Sequence, residues 1–70
     1  MLIRAEQETE FLHLLQQLPL SQRSVLLLHY LEDFPLEEIA RITDTLLGTV
    51  KSRMHYAKRT LRKLLEEQTP

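Results

Sequence analysis

Apolar residues recur along this chain at three- and four-residue spacing in every segment, which is the period of a helix and not of a strand. Four helices are expected. The first covers residues 5–18, where Phe11, Leu12, Leu14, Leu15 and Leu18 fall at helical spacing. Thr9 or an earlier polar residue is its candidate cap. Pro19 ends it, because the residue before a proline avoids helical backbone angles. The second covers residues 21–32, with the Ser21 hydroxyl as an N-cap acceptor. Its run Val25-Leu26-Leu27-Leu28, followed by Tyr30 and Leu31, is apolar nearly all round. Such a helix is buried on more than one side or keeps an apolar patch for a partner. The third covers residues 35–42. Pro35 suits a first turn, where its missing N–H is no loss, and Glu37 and Glu38 stand near the positive end of the helix dipole. Leu36, Ile39, Ala40 and Ile42 supply its apolar face.

Asp44 and Thr45 are turn formers, and the fourth helix follows over residues 46–67. Val50, Met54, Ala57, Leu61, Leu64 and Leu65 lie within an arc of about 100° on a helical wheel, a core stripe. Lys51, Ser52, His55, Arg59 and Arg62 lie within another arc of about 100°, turned away from it. One face packs and the other is polar and basic.

Charge sharpens that division. The chain has 70 residues and a net charge of −1. Residues 1–50 hold Arg4, Arg23 and Arg41 against eight acidic residues, whereas 51–63 hold Lys51, Arg53, Lys58, Arg59, Arg62 and Lys63 and no acid. A phosphate backbone responds to the local field of such a segment more than to the net charge. The absence of cysteine excludes a disulfide scaffold and a cysteine-ligated zinc finger. No apolar run reaches the length of a membrane span, and Met1-Leu2-Ile3-Arg4 lacks the apolar core of a signal peptide. The expectation is a cytoplasmic chain with no membrane partner.

A short helix, a tight turn and a longer helix with a basic outer face describe a helix-turn-helix, whose second helix enters the major groove. Small residues are needed where its helices cross, and Ala40 and Gly48 stand at candidate points. The pattern alone leaves a plain helical bundle equally open. Other chemistry finds little support. His13, His29 and His55 have no metal-ligand spacing, Met54 belongs to the stripe, and Ser52 has no neighbouring base to make it a nucleophile. No cofactor, metal or catalytic residue is expected, and the chain reads as a non-enzyme.

Three motifs in order narrow the choice. Leu18-Pro19-Leu20-Ser21-Gln22-Arg23-Ser24-Val25 resembles the opening of region 4 of bacterial RNA polymerase sigma factors. Leu36-Glu37-Glu38-Ile39-Ala40 resembles that family's first motif helix. Gly48-Thr49-Val50-Lys51-Ser52-Arg53-Met54-His55 resembles its recognition helix, and Ala57, Lys58 and Leu61 continue the likeness. The resemblance, strongest to the extracytoplasmic-function (ECF) type, runs from Leu18 to Leu65 without a gap. Pro35, Leu36, Leu46, Leu47 and Tyr56 depart from it. Pro35 stands where a serine or threonine cap is common, and Tyr56 where arginine is usual. Region 2 of such factors is absent, so the chain is a fragment or a stand-alone region-4-like protein.

The resemblance implies an all-α fold: one domain over residues 1–70, with a helix-turn-helix on the three-helical core of winged-helix-like DNA- and RNA-binding domains, and no strands. It implies binding to duplex DNA at the −35 promoter element, docking on the β flap of RNA polymerase, and sequestration by an anti-sigma factor. Lys51, Ser52, His55 and Tyr56 are the candidate base readers. Lysine can donate to guanine, serine to several edges, and rings can meet a thymine methyl. Thr49, Arg53, Lys58 and Arg59 are candidate phosphate anchors, which position without specifying. Val25, Leu27, Leu28 and Leu31 are candidates for a protein-facing surface, or else are buried by the first and fourth helices. Two other readings remain: a response-regulator-type helix-turn-helix effector domain, and a protein-interaction bundle that does not bind DNA, with Leu46 and Leu47 as its adhesive surface.

Overall fold

The computed structural model describes residues 5–68. Its helices are α1 (Ala5–Gln16), α2 (Leu20–Leu26), α3 (Leu36–Ile42) and α4 (Leu47–Glu67), with a π-helical segment, Leu27–Leu31, prolonging α2. Among the described residues there is no strand. The fold is all-α.

Helix α1 ends two residues earlier than its apolar spacing suggests. The Gln17 and Leu18 amides bond back three residues, to the Leu14 and Leu15 carbonyls at 3.0 and 3.1 Å. This tightened last turn still delivers Leu18 into the core. Thr9 stands inside α1, past its first turn. Ser21 does not cap α2. The cap residue is Pro19, in extended backbone at φ −54° and ψ 148°, and its carbonyl accepts from Gln22 and Arg23 at 3.0 and 2.9 Å. The same substitution of proline for a polar cap recurs at α3. Pro35 stands just outside that helix, and its carbonyl accepts from Glu38 and Ile39.

The regular second helix expected over residues 21–32 is interrupted. The Glu32 amide reaches five residues back to the Leu27 carbonyl at 3.2 Å, which inserts an extra residue into the turn. Beyond it Asp33 takes a left-handed conformation, φ 58°. The His29 Nδ1–H donates to the Phe34 carbonyl at 2.9 Å and staples the exit. The widened turn leaves Leu27 and Leu28 half-buried and turns Tyr30 and Leu31 to solvent.

The turn between α3 and α4 is closed by main-chain bonds and by the Thr43 hydroxyl. Asp44 is left-handed, φ 53°. Its amide bonds the Arg41 carbonyl at 3.2 Å, and the Thr45 amide bonds the Ala40 carbonyl at 2.9 Å. These are the two bonds of a Schellman motif. Thr43 adds a hydroxyl bond to the Ile39 carbonyl at 2.7 Å and another to the Thr45 hydroxyl. Glu38 and Arg41 form an ion pair on the outer side of α3.

The core lies where α2, α3 and α4 meet, with Val25, Ile39, Val50 and Ala57 wholly buried and Leu14, Leu15 and Leu18 of the α1 segment closing one side. Ala40 is the most exposed member of the core cluster, at 8%. Gly48 has no packing role: a side chain there would meet nothing within 4 Å. Ile42, expected on the apolar face of α3, is half exposed because it stands in the last turn, past the core.

Candidate nucleic-acid interface

The turn fixes how α4 leaves α3, and α4 carries most of the candidate residues. Its core stripe holds it down through Val50, Met54 and Ala57. Every outward position is thereby fixed. Lys51, Ser52 and His55 are exposed. Tyr56 is also exposed, so it does not cover the stripe, and its ring stands edge-on to His55 with centroids 5.2 Å apart. The four candidate base readers therefore form one continuous outward strip in the first turns of α4.

The phosphate candidates divide into two groups around that strip. Thr49 and Arg53 are half-buried on one flank. They line a cleft of about 420 Å³ with Gly48, Ser52, Tyr56 and two residues of α2, Ser21 and Gln22. Lys58 and Arg59 are exposed farther along the helix, and with His55 and Arg62 they line a basic groove of about 370 Å³. Lys58 is turned about 80° from Val50 on the wheel, the flank opposite Thr49 and Arg53. A helix with its reading strip in a groove thus has polar or cationic groups toward both walls.

Sequence reasoning passed over Ser21 and Gln22 as site residues. Ser21 was assigned to capping, and Gln22 has no distinguishing pattern. Yet the Gln22 Oε1 is buried with no hydrogen-bond partner. A buried polar atom of that kind costs free energy unless something meets it. The missing side chain at Gly48 keeps the mouth of the cleft open. Helix α4 begins at Leu47, with Leu46 as its cap residue and no side-chain cap bond, so the positive end of the helix dipole stands at this end of the cleft.

Among the described residues the ion pair is that of Glu38 with Arg41. Glu66 lines a groove with Arg59, Arg62 and Lys63 at the far end of α4, whereas no acidic residue lines the groove of His55, Lys58, Arg59 and Arg62. No group of three or more His, Cys, Asp or Glu among the described residues is placed to hold a metal ion. No helix among them is long and apolar enough to cross a membrane.

Residues 8–61 match the family model described as Sigma-70, region 4. The chain belongs to the sigma-70 region 4 family. The matched stretch begins earlier and ends sooner than the motif resemblance, taking in much of α1 and stopping at Leu61. The chain is 36% identical over 55 residues to RNA polymerase sigma factor SigV of Bacillus subtilis (strain 168), an overlap of 79% of this chain and 33% of the relative. It is 39% identical over 51 residues to the ECF RNA polymerase sigma factor SigW of the same organism, covering 73% of this chain and 27% of that one. These similarities support region 4 of an ECF sigma factor. The chain spans a third or less of the length of these curated relatives. Region 4 membership accounts for the helix-turn-helix and for the strip on α4 that it turns outward.

The protein-surface candidates fare unequally. Val25 is wholly buried and belongs to the core, not to any surface. Leu27 and Leu28 are half-buried against the core, and Leu31 is exposed. Among the described residues Leu46 is the most exposed large apolar one, and Leu47 is half-buried beside it.

Proposed function

We propose that this chain binds promoter duplex DNA at the −35 element, as a single region 4 unit of an ECF sigma factor in transcription initiation. The observation that carries this reading is the exposed strip Lys51, Ser52, His55 and Tyr56, flanked on both sides by candidate phosphate anchors. The relatives are by name RNA polymerase sigma factors, which supports the same role. Lys51, Ser52, His55 and Tyr56 read base edges. Thr49, Arg53, Lys58 and Arg59 hold the backbone, with the cleft beside Gln22 receiving one phosphate and the basic groove another. Binding needs no metal, cofactor or covalent step, so the unit is not an enzyme.

RNA polymerase, through its β flap, and an anti-sigma factor are the proposed protein partners. The exposed edge of the second helix, Leu31 with the half-buried Leu27 and Leu28, is the surface offered to them. A cytoplasmic setting follows from these partners. The test is selection of bound sites from a random duplex library, followed by affinity across a salt series. A recovered consensus with a steep fall in affinity as salt rises is expected. Recovery of no enriched sequence, with no duplex binding at low salt, overturns the reading.

A further inference from the structure

The cleft between the starts of α2 and α4 brings together two polar groups of opposite need. One is the Gln22 side-chain oxygen, Oε1, an acceptor buried without a hydrogen-bond partner. The other is the Arg53 guanidinium, a donor that enters no ion pair among the described residues. Both line the same cleft, and no acidic side chain lines it with them. Thr49, Ser52, Arg53 and Tyr56 stand at i, i+3, i+4 and i+7, so one face of α4 borders the cleft opposite Gln22. The polar side chains of the lining other than Gln22 and Arg53 are all hydroxyls, each with a single proton to donate. Arg53 alone carries several N–H donors in a fixed fork.

We propose that Gln22 is a positioning residue for a DNA phosphate: when the phosphate enters the cleft, the Arg53 guanidinium donates one N–H to Gln22 Oε1 and turns its remaining donors to the phosphate oxygens. The inference rests on the DNA-binding reading and adds to it a residue that itself touches no DNA. A hydroxyl that meets the phosphate has no proton left for Gln22, whereas a guanidinium can serve both. In the free chain Arg53 keeps its water, because moving a cation against one neutral acceptor would desolvate it with no counter-charge. The phosphate supplies that counter-charge, and a charge-assisted pair is strong enough to draw the group in. Gln22 then acts only in the complex. The cost of its orphaned oxygen falls on the free chain and is relieved on binding. That difference between the two states is what lets a ligand shift the side chain from one to the other. A neutral acceptor suits the task. A carboxylate in its place would pair with Arg53 before any phosphate arrived and would repel the phosphate. Because the contact it supports is to the backbone, Gln22 carries affinity and no base preference.

The test joins thermal unfolding of the free chain to binding of the whole chain to a labelled, mixed-sequence 30-base-pair duplex, read by fluorescence anisotropy across a salt series. Gln22→Met keeps the length of the side chain and removes its polar atoms. It raises the Tm of the free chain by about 4–8 °C, because the unmet acceptor is gone. It also raises the duplex Kd about tenfold, the loss of one hydrogen bond to a charged group. In the Arg53→Ala background the same substitution changes the duplex Kd by less than about twofold, because the partner is no longer there. Gln22→Glu weakens the duplex more than Gln22→Met does and flattens the salt slope by about one, as Arg53 is lost to the phosphate backbone. A lower Tm for Gln22→Met overturns the proposal, because it makes Gln22 a support of the fold. An unchanged duplex Kd overturns it as well, as does an equal loss with and without Arg53. These outcomes leave the DNA reading standing, whereas a parent chain that binds no duplex at low salt sinks both.

Discussion

The two halves of α4 carry the same apolar stripe and meet different fates. In the first half Val50, Met54 and Ala57 are buried between α2 and α3. In the second, Leu61 and Leu64 are half-buried and Leu65 is about half exposed. At 21 residues the helix is about 31 Å long, and it outruns the core that α2 and α3 can build. The first half is therefore clamped where its outward side chains must be aimed. The second projects as a charged rod whose cations need only proximity. On the proposed DNA-binding reading, base reading and attraction fall to different lengths of one helix.

The largest effect should come from the clamp. Met54→Ala removes a buried side chain and is expected to cost about 2–5 kcal/mol of stability, whereas Leu65→Ala should stay within about 0.5 kcal/mol. Urea denaturation of both variants checks this, and similar losses would erase the distinction between the halves. Next come the contacts. Lys51→Ala and His55→Ala should each relax preference at particular base pairs, by about 1–3 kcal/mol. Arg59→Ala should weaken all duplexes alike and flatten the salt slope by about one. Base-by-base specificity profiles distinguish the two outcomes, and uniform loss for Lys51→Ala would move that residue among the backbone anchors. The smallest effect sharpens the picture at the start of the helix. Gly48→Ala should raise stability by up to about 1 kcal/mol through helix propensity, because the added methyl meets nothing. The same methyl narrows the cleft mouth, so duplex affinity should fall. A variant gaining in both thermal stability and duplex affinity would remove the cleft from the interface.

The parts legible in the sequence were those set by period. The stripe on α4, the outward strip of Lys51, Ser52 and His55, and the turn at Asp44 follow from spacing and residue type alone. The details settled by tertiary demand were not. Ser21 is a better capping residue than proline by chemistry, yet the chain must plant Leu18 in the core and can enter α2 only through Pro19. The π-helical turn has no local code, since Leu27-Leu28-His29-Tyr30-Leu31 fits a regular helix as well. The exposure of Tyr56 depends on the cleft that the start of α2 leaves beside α4. Gln22 was invisible for the same reason: its burial depends on how the start of α2 meets the start of α4.

The closure of the α3–α4 turn by main-chain bonds has a consequence for how this unit can change. Its geometry is set by two main-chain bonds, the Thr43 hydroxyl and the left-handed Asp44, none of which lies on the outward strip. Side chains on the reading strip contribute no packing that the turn depends on. Recognition can then be rewritten at Lys51, Ser52, His55 and Tyr56 as one exchanges the bit in a drill, with the chuck left untouched.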